Sequence, residues 1–190
     1  AFFHLNMMFS SIAEGERPIV IQNCYWPMLK WIKQLPFSVG VEITGISLEI
    51  INELDPRWIL EFKQLIQSEK IELIASGYSQ TIAPLSPYLA NKKNIELGLD
   101  TYQSLLEAKP NYILVNEQCF SNSLVDLYQE FEFKAIIMEW ENAYKNHSDW
   151  EDSLQFSPQL IQSSQDVSTS QIPIIWNHSI GFQNSTFLIW

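Results

Sequence analysis

The sequence is poor in glycine, cysteine and positive charge, and each shortage removes a class of function. Six glycines are spread over 190 residues. None of them builds a phosphate-cradling loop, and no GxSxG elbow is present, so nucleotide-dependent and acyl-serine chemistry are not expected. Cys24 and Cys119 are the only cysteines. They are too few and too far apart for a disulfide framework or a CxxC metal site, and they read as two buried thiols in a reducing compartment, the cytoplasm. Lys and Arg number 11 against 22 Asp and Glu, a formal charge of −11, and no basic cluster interleaved with aromatics offsets it, so no nucleic-acid partner is expected. No apolar run reaches the roughly 18 residues of a membrane span. The opening Ala1-Phe2-Phe3-His4-Leu5-Asn6-Met7-Met8-Phe9 is apolar but lacks a basic n-region, which argues against secretion and membrane insertion.

What the chain does contain is hydrophobic and aromatic: 46% hydrophobic residues against 17% charged, with seven Trp, seven Tyr and eleven Phe. That composition folds, and the length suits one domain spanning 1–190. A neutral glycan is compatible with the acidic charge, because sugars bind by aromatic stacking and hydrogen bonds and gain little from positive steering.

Short apolar runs alternate with segments of helical period, the order of parallel strands joined by crossover helices, so the class is α/β. Strands are expected over residues 2–6, 38–43, 71–75, 112–116, 135–139 and 172–176, mostly continuous apolar runs as strands covered on both faces should be. Helices are expected over 17–34, 57–68, 87–108 and 121–130. In the second of these Trp58, Phe62, Leu65 and Ile66 repeat at helical spacing. Asp55-Pro56 marks its start as N-cap and first helical residue. From 142 to 171 the period is lost and Ser, Gln, Asp and Asn dominate, which reads as a long surface excursion.

Ligands of parallel α/β sheets meet the carboxyl ends of the strands, so polar residues ending these runs are the site candidates. They are His4 and Asn6 from the first strand, Glu42 from the second, Tyr78 and Gln80 after the third, Glu117 after the fourth, Glu139 and Trp140 after the fifth, and Asn177 and His178 after the sixth. Glu117 stands out as a catalytic carboxylate because it follows the buried-type run Tyr112-Ile113-Leu114-Val115 and precedes a helix start at Ser121-Asn122-Ser123. A zinc site would need three convergent ligands, and two His one helical turn apart are missing, so no metal and no cofactor are assigned.

Three stretches carry a family resemblance: Phe3-His4-Leu5-Asn6-Met7-Met8 with Gly77-Tyr78; Lys109-Pro110 through Asn116-Glu117-Gln118-Cys119-Phe120; and Trp176-Asn177-His178-Ser179-Ile180-Gly181-Phe182. Together they resemble glycoside hydrolase family 57. The resemblance implies an incomplete seven-stranded parallel (β/α) barrel, related to polysaccharide deacetylases. It further implies a retaining mechanism on α-glucans in which Glu117 corresponds to the nucleophile. Retention needs a second carboxyl roughly 5–5.5 Å from the first. The resemblance places that Asp at the end of a seventh strand beyond Ile180-Gly181-Phe182, so the barrel is expected to be cut before its last strand and these residues alone to be inactive. The chain departs from the family pattern at Leu5-Asn6-Met7-Met8, where a Gln-Pro sequence is usual, and at Gln80, where a His is usual. The substrate contacts are therefore expected to differ, with Asn6, Tyr78, Gln80 and His178 shaping the pocket and Trp140 or Trp176 offering a stacking face. Two alternatives stay open: a metal-dependent deacetylase with His4, Glu42 and His178 around an ion, and a non-catalytic glycan-binding barrel.

Overall fold

A computed structural model describes residues 2–147, 149–164 and 170–178. Its sheet runs β1 (Phe2–Leu5), β2 (Val39–Ile43), β3 (Ile71–Ala75), β4 (Tyr112–Leu114), β5 (Ala135–Glu139), β7 (Gln171–Asn177) and β6 (Gln159–Gln162), in that order. All neighbours pair in parallel except β6, which lies antiparallel on β7. This is the α/β arrangement of the incomplete seven-stranded barrel class.

The crossover helices are α1 (Arg17–Val20) and α2 (Trp26–Gln34), α3 (Gly45–Leu54) with α4 (Pro56–Gln67), α5 (Tyr88–Leu106) and α6 (Val125–Glu130). A short α7 (Trp140–Tyr144) follows β5. Between α1 and α2 the chain makes one wider π-helical turn, Ile21–Tyr25. Pro27 stands just after it and lacks the N–H that would close the ordinary bond.

The helices pack on one side of the sheet, around a large cluster that includes Trp58, Phe62, Tyr102, Leu29 and Ile136. Trp58 and Phe62 stack at 4.8 Å within it. The opposite face holds a smaller cluster of Ile74, Leu114 and Ile137, with Phe2, Tyr112 and Ile175 packed against it. The strands are thus covered on both faces, but by helices on one and by each other's side chains on the other, as a curving sheet requires.

Several boundaries differ from the sequence reading. Helix α3 and strand β6 were not expected. Strand β4 ends at Leu114, because Glu117 and Gln118 both take positive φ and turn the chain away. The segment 142–171 is not featureless: it contains the turn Asp152–Phe156 and the antiparallel strand β6. Asp55 does precede α4, with Pro56 as its first residue, but its carboxylate does not cap the helix. It accepts instead from Trp26 Nε1 and Gln22 Nε2, both at 2.9 Å, and from Arg57. The cysteines are not buried: Cys24 is exposed and Cys119 half-buried, both free. Among the described residues no helix is long and apolar enough to cross a membrane.

Candidate active site

Strand register decides which polar groups meet. Phe2 lies on the inner face, and alternation puts His4 on the same face. His4 is level with Glu42, Ile137 with Ile175, and Glu139 with Asn177. Ile74 and Leu114 complete the apolar inner layer. Two residues further along each strand, the inner face changes from apolar to polar: His4, Glu42, Ser76, Asn116, Glu139 and Asn177. The site is this polar layer at the carboxyl ends of the strands, stacked on the apolar one.

Its centre is a buried charge. Glu42 is 0% exposed and its Oε2 is bonded to His4 Nδ1, while Oε1 has no partner among the described residues. Burying a carboxylate is costly unless a counter-charge meets it, and His4 is the basic group supplied. The hydrogen bond to Glu42 raises the His4 pKa above its ordinary value, against burial, which lowers it, and the charges of Glu42 and Glu117 add to the rise. The His4 side chain remains 42% exposed, so the pair joins a closed interior to an open rim. His4 Nε2 lies 3.2 Å from Gln80 Nε2, and Gln80 Oε1 accepts from Asn6 Nδ2 at 2.7 Å. His4, Asn6, Glu42 and Gln80, drawn from three separate stretches of chain, therefore form one network, with Glu117 close enough to act on His4 through its charge.

Glu117 itself is exposed, with φ 53° and ψ 17°. A left-handed backbone at a glutamate, followed by another at Gln118, is uncommon and costs free energy. The neighbouring contacts enforce it. Asn116 bonds twice to Ser76, and Gln118 Oε1 accepts from Glu139 N at 2.6 Å. Glu117 is pinned from β3 on one side and β5 on the other. Glu139 is half-buried and bonded to Asn142. The helix start expected beside Glu117 is a short turn whose Ser121 hydroxyl caps Ser123.

Other candidates lie further out. Tyr78 donates to Glu49 Oε2 at 2.8 Å and packs on Gly45, tying α3 to the β3 loop. His178 Nδ1 lies 2.6 Å from Glu141 Oε1. Among the described residues no group of three His, Cys, Asp or Glu is arranged to hold a metal ion. Asn177 is half-buried with its Oδ1 unpartnered among the described residues. The stacking face expected of Trp140 is a correction: it is 4% exposed, covered by Tyr144 at 5.2 Å and by Trp176 at 5.3 Å. Trp176 alternates with the inward Asn177 and so faces the helices, and Trp140 packs with it and with Trp150 at 5.9 Å. The reading missed Ser76, Asn142 and the clamping role of Gln118. Ser76 was findable, since it directly follows the apolar run 71–75.

The sequence model of glycosyl hydrolase family 57 matches residues 3–165. The chain belongs to this family. A curated relative named "Putative alpha-amylase", from Methanocaldococcus jannaschii, is 26% identical over 128 residues, 63% of this chain and 27% of its own length. The family 57 chain therefore spans about a quarter of that protein. Among solved structures, the 4-alpha-glucanotransferase of Thermococcus litoralis superposes with a TM-score of 0.77 at 18% identity, over 99% of this chain and 28% of that one. The family 57 branching enzyme of Pyrococcus horikoshii gives 0.70 at 13% identity, over 96% and 46%. At these identities the likeness is one of fold. The matched span includes β1 from Phe3 and the whole of β2 to β6, and with them His4, Glu42, Gln80, Glu117 and Glu139.

Proposed function

We propose that this chain supplies the nucleophile side of a retaining glycoside hydrolase or glucanotransferase acting on a poly- or oligosaccharide, with Glu117 attacking the anomeric carbon. The observation that carries the reading is the strained, doubly clamped turn that holds Glu117 exposed beside the His4–Glu42–Gln80 network. Strain of this kind persists where surrounding contacts over-determine it, and it concentrates at functional sites. Exposure leaves the carboxylate free to reach a sugar. His4, Asn6, Glu42, Gln80, Glu139 and Asn177 then provide the polar wall that orients hydroxyl groups, with Tyr78 and His178 at its margin. Retention also requires a second carboxyl, the general acid/base, roughly 5–5.5 Å from the nucleophile. In this reading residues 1–190 are one barrel domain, and a glycan is the partner.

The test uses the longest natural form of the protein and an α-glucan substrate. Glu117→Gln is expected to abolish turnover while glycan binding persists. Full activity in that variant would end the assignment, as would a fluorosugar trap that labelled another residue.

A further inference from the structure

Four contacts link a backbone amide to a buried carboxylate across the rim. Met8 N donates to Asn6 Oδ1 at 2.8 Å, and Asn6 Nδ2 donates to Gln80 Oε1 at 2.7 Å. Gln80 Nε2 faces His4 Nε2 at 3.2 Å, and His4 Nδ1 meets Glu42 Oε2. Amide orientation and imidazole tautomer are ambiguous from heavy atoms alone, but here one end of the relay is not. A backbone N–H only donates, so the Asn6 atom that meets Met8 is the oxygen. Its Nδ2 then faces Gln80, whose facing atom must be the acceptor Oε1. That leaves the Gln80 NH2 group against His4, so His4 Nε2 must accept. From the other end, the Glu42 carboxylate accepts, so the proton sits on His4 Nδ1. The two ends give the same answer.

We propose that Glu42, Gln80 and Asn6 are positioning residues that hold His4 as the Nδ1–H tautomer, with the Nε2 lone pair turned to the rim beside Glu117. The consequence for binding follows from polarity. A ligand hydroxyl that displaces Gln80 can donate to Nε2 while the His4–Glu42 bond behind the ring is kept. A doubly protonated His4 would set N–H against NH2. Relieving that clash means reversing Gln80, then Asn6, and breaking the bond to Met8. The acidic groups that face His4 are Glu42 and Glu117, and they favour protonation, whereas the relay opposes it. Protonation of His4 is thereby coupled to the arrangement of residues 6–8 and 80. The purpose assigned to the tautomer rests on the glycan reading, but the tautomer itself does not.

The experiment is 15N-histidine NMR on the full chain. It contains three histidines, and loss of one signal set in His4→Asn identifies the right one. Above its titration, His4 is expected to show the Nδ1–H pattern; an Nε2–H pattern or an averaged mixture overturns the proposal. Gln80→Leu removes a donor that stabilises the neutral ring, so the His4 midpoint is expected to rise by roughly 0.5 to 1 pH unit. Had the amide oxygen faced a protonated Nε2, the same substitution would lower it. A fall or no change overturns the proposal. The wild-type tautomer is readable even if the variant does not fold. Turnover by Glu117→Gln tests the glycan reading and does not enter this measurement, so either can fail alone.

Discussion

Ser76 and Asn116 are joined twice: Ser76 Oγ donates to Asn116 Oδ1 at 2.7 Å, and Asn116 Nδ2 donates to the Ser76 carbonyl at 3.0 Å. The pair locks the end of β3 to the residue immediately before Glu117. Ser76 is buried, so cutting the link takes the Asn116 partner from its hydroxyl and its carbonyl while its N–H stays bonded to Tyr102. Asn116→Ala, which loses both bonds, should cost about 1–3 kcal/mol, and Ser76→Ala, which loses one, about 1 kcal/mol. Urea unfolding measures both. A larger loss for Ser76→Ala than for Asn116→Ala would mean that the pair is not what anchors this turn.

The left-handed backbone at Glu117 gives a stability test of a functional claim. For a residue other than glycine this conformation costs roughly 1–2 kcal/mol, and glycine relieves it at an entropic cost of about 0.5–1 kcal/mol. Glu117→Gly should therefore leave the protein roughly 0.5–1 kcal/mol more stable while removing the proposed nucleophile. Glu107, which ends α5 with φ 52°, is the control. Glu107→Gly should gain a similar amount, partly offset by loss of its surface pair with Lys63. Thermal unfolding of the two variants provides the comparison, and destabilisation by Glu117→Gly would show that the turn is held by the glutamate side chain and not against it.

How much of this was readable follows from which interactions are local. Apolar runs such as Ile71–Ala75 and Ala135–Glu139 matched the strands because burial on both faces writes itself into consecutive residues. Helix α3 was missed because it begins with Gly45 directly after β2, with only Thr44 between as its cap. Strand β6 is four residues long with alternating exposure and leans on β7, so its identity comes from a partner and not from its own pattern. At the site, the rule that polar residues end strands found His4, Glu42 and Glu139. It could not separate an inward Asn177 from an outward Trp176, nor foresee that Trp140 would be buried against the latter. The positive φ of Glu117 left no trace, since glutamate carries no signal for it and the forces that impose it arrive from Ser76 and Glu139.

Gly98 tests how the Gly77-Tyr78 stretch is held. A Cβ at Gly98 would come within 2.5 Å of the Gly77 carbonyl carbon and 2.8 Å of Tyr78 N, backbone atoms that cannot swing aside. The close approach lets Tyr78 N donate to the Asn94 carbonyl at 2.8 Å and Ser79 N to Asn94 Oδ1 at 2.9 Å. Gly98→Ala should cost about 1–3 kcal/mol by overpacking. It should also shift the amide signals of residues 77–80 more than those of β5. A mild stability change with those amides undisturbed would show that α5 and this loop can move apart freely.

Asp55 sets a pH window for stability. The hydrogen bonds from Trp26, Arg57 and Gln22 and the Arg57 charge together outweigh burial and hold its pKa below the ordinary 3.8. Because the folded value is the depressed one, the stabilisation is complete above the unfolded value and is lost as pH falls through the folded value. Asp55→Asn removes the charge and with it this linkage. The stability gap between the two proteins should be largest at pH 5 and above and narrow steadily below about pH 4. His4 acts in the opposite sense. Its raised pKa contributes stability that is fully present below 6.5 and lost as pH rises through the folded value, so the two effects occupy separate windows. Urea midpoints at pH 3, 4, 5 and 7 for wild type and Asp55→Asn resolve the first window. A gap that stayed constant down to pH 3 would mean that Asp55 is not held by charge, and that its bonds to Trp26 and Gln22 alone tie α2 to α4.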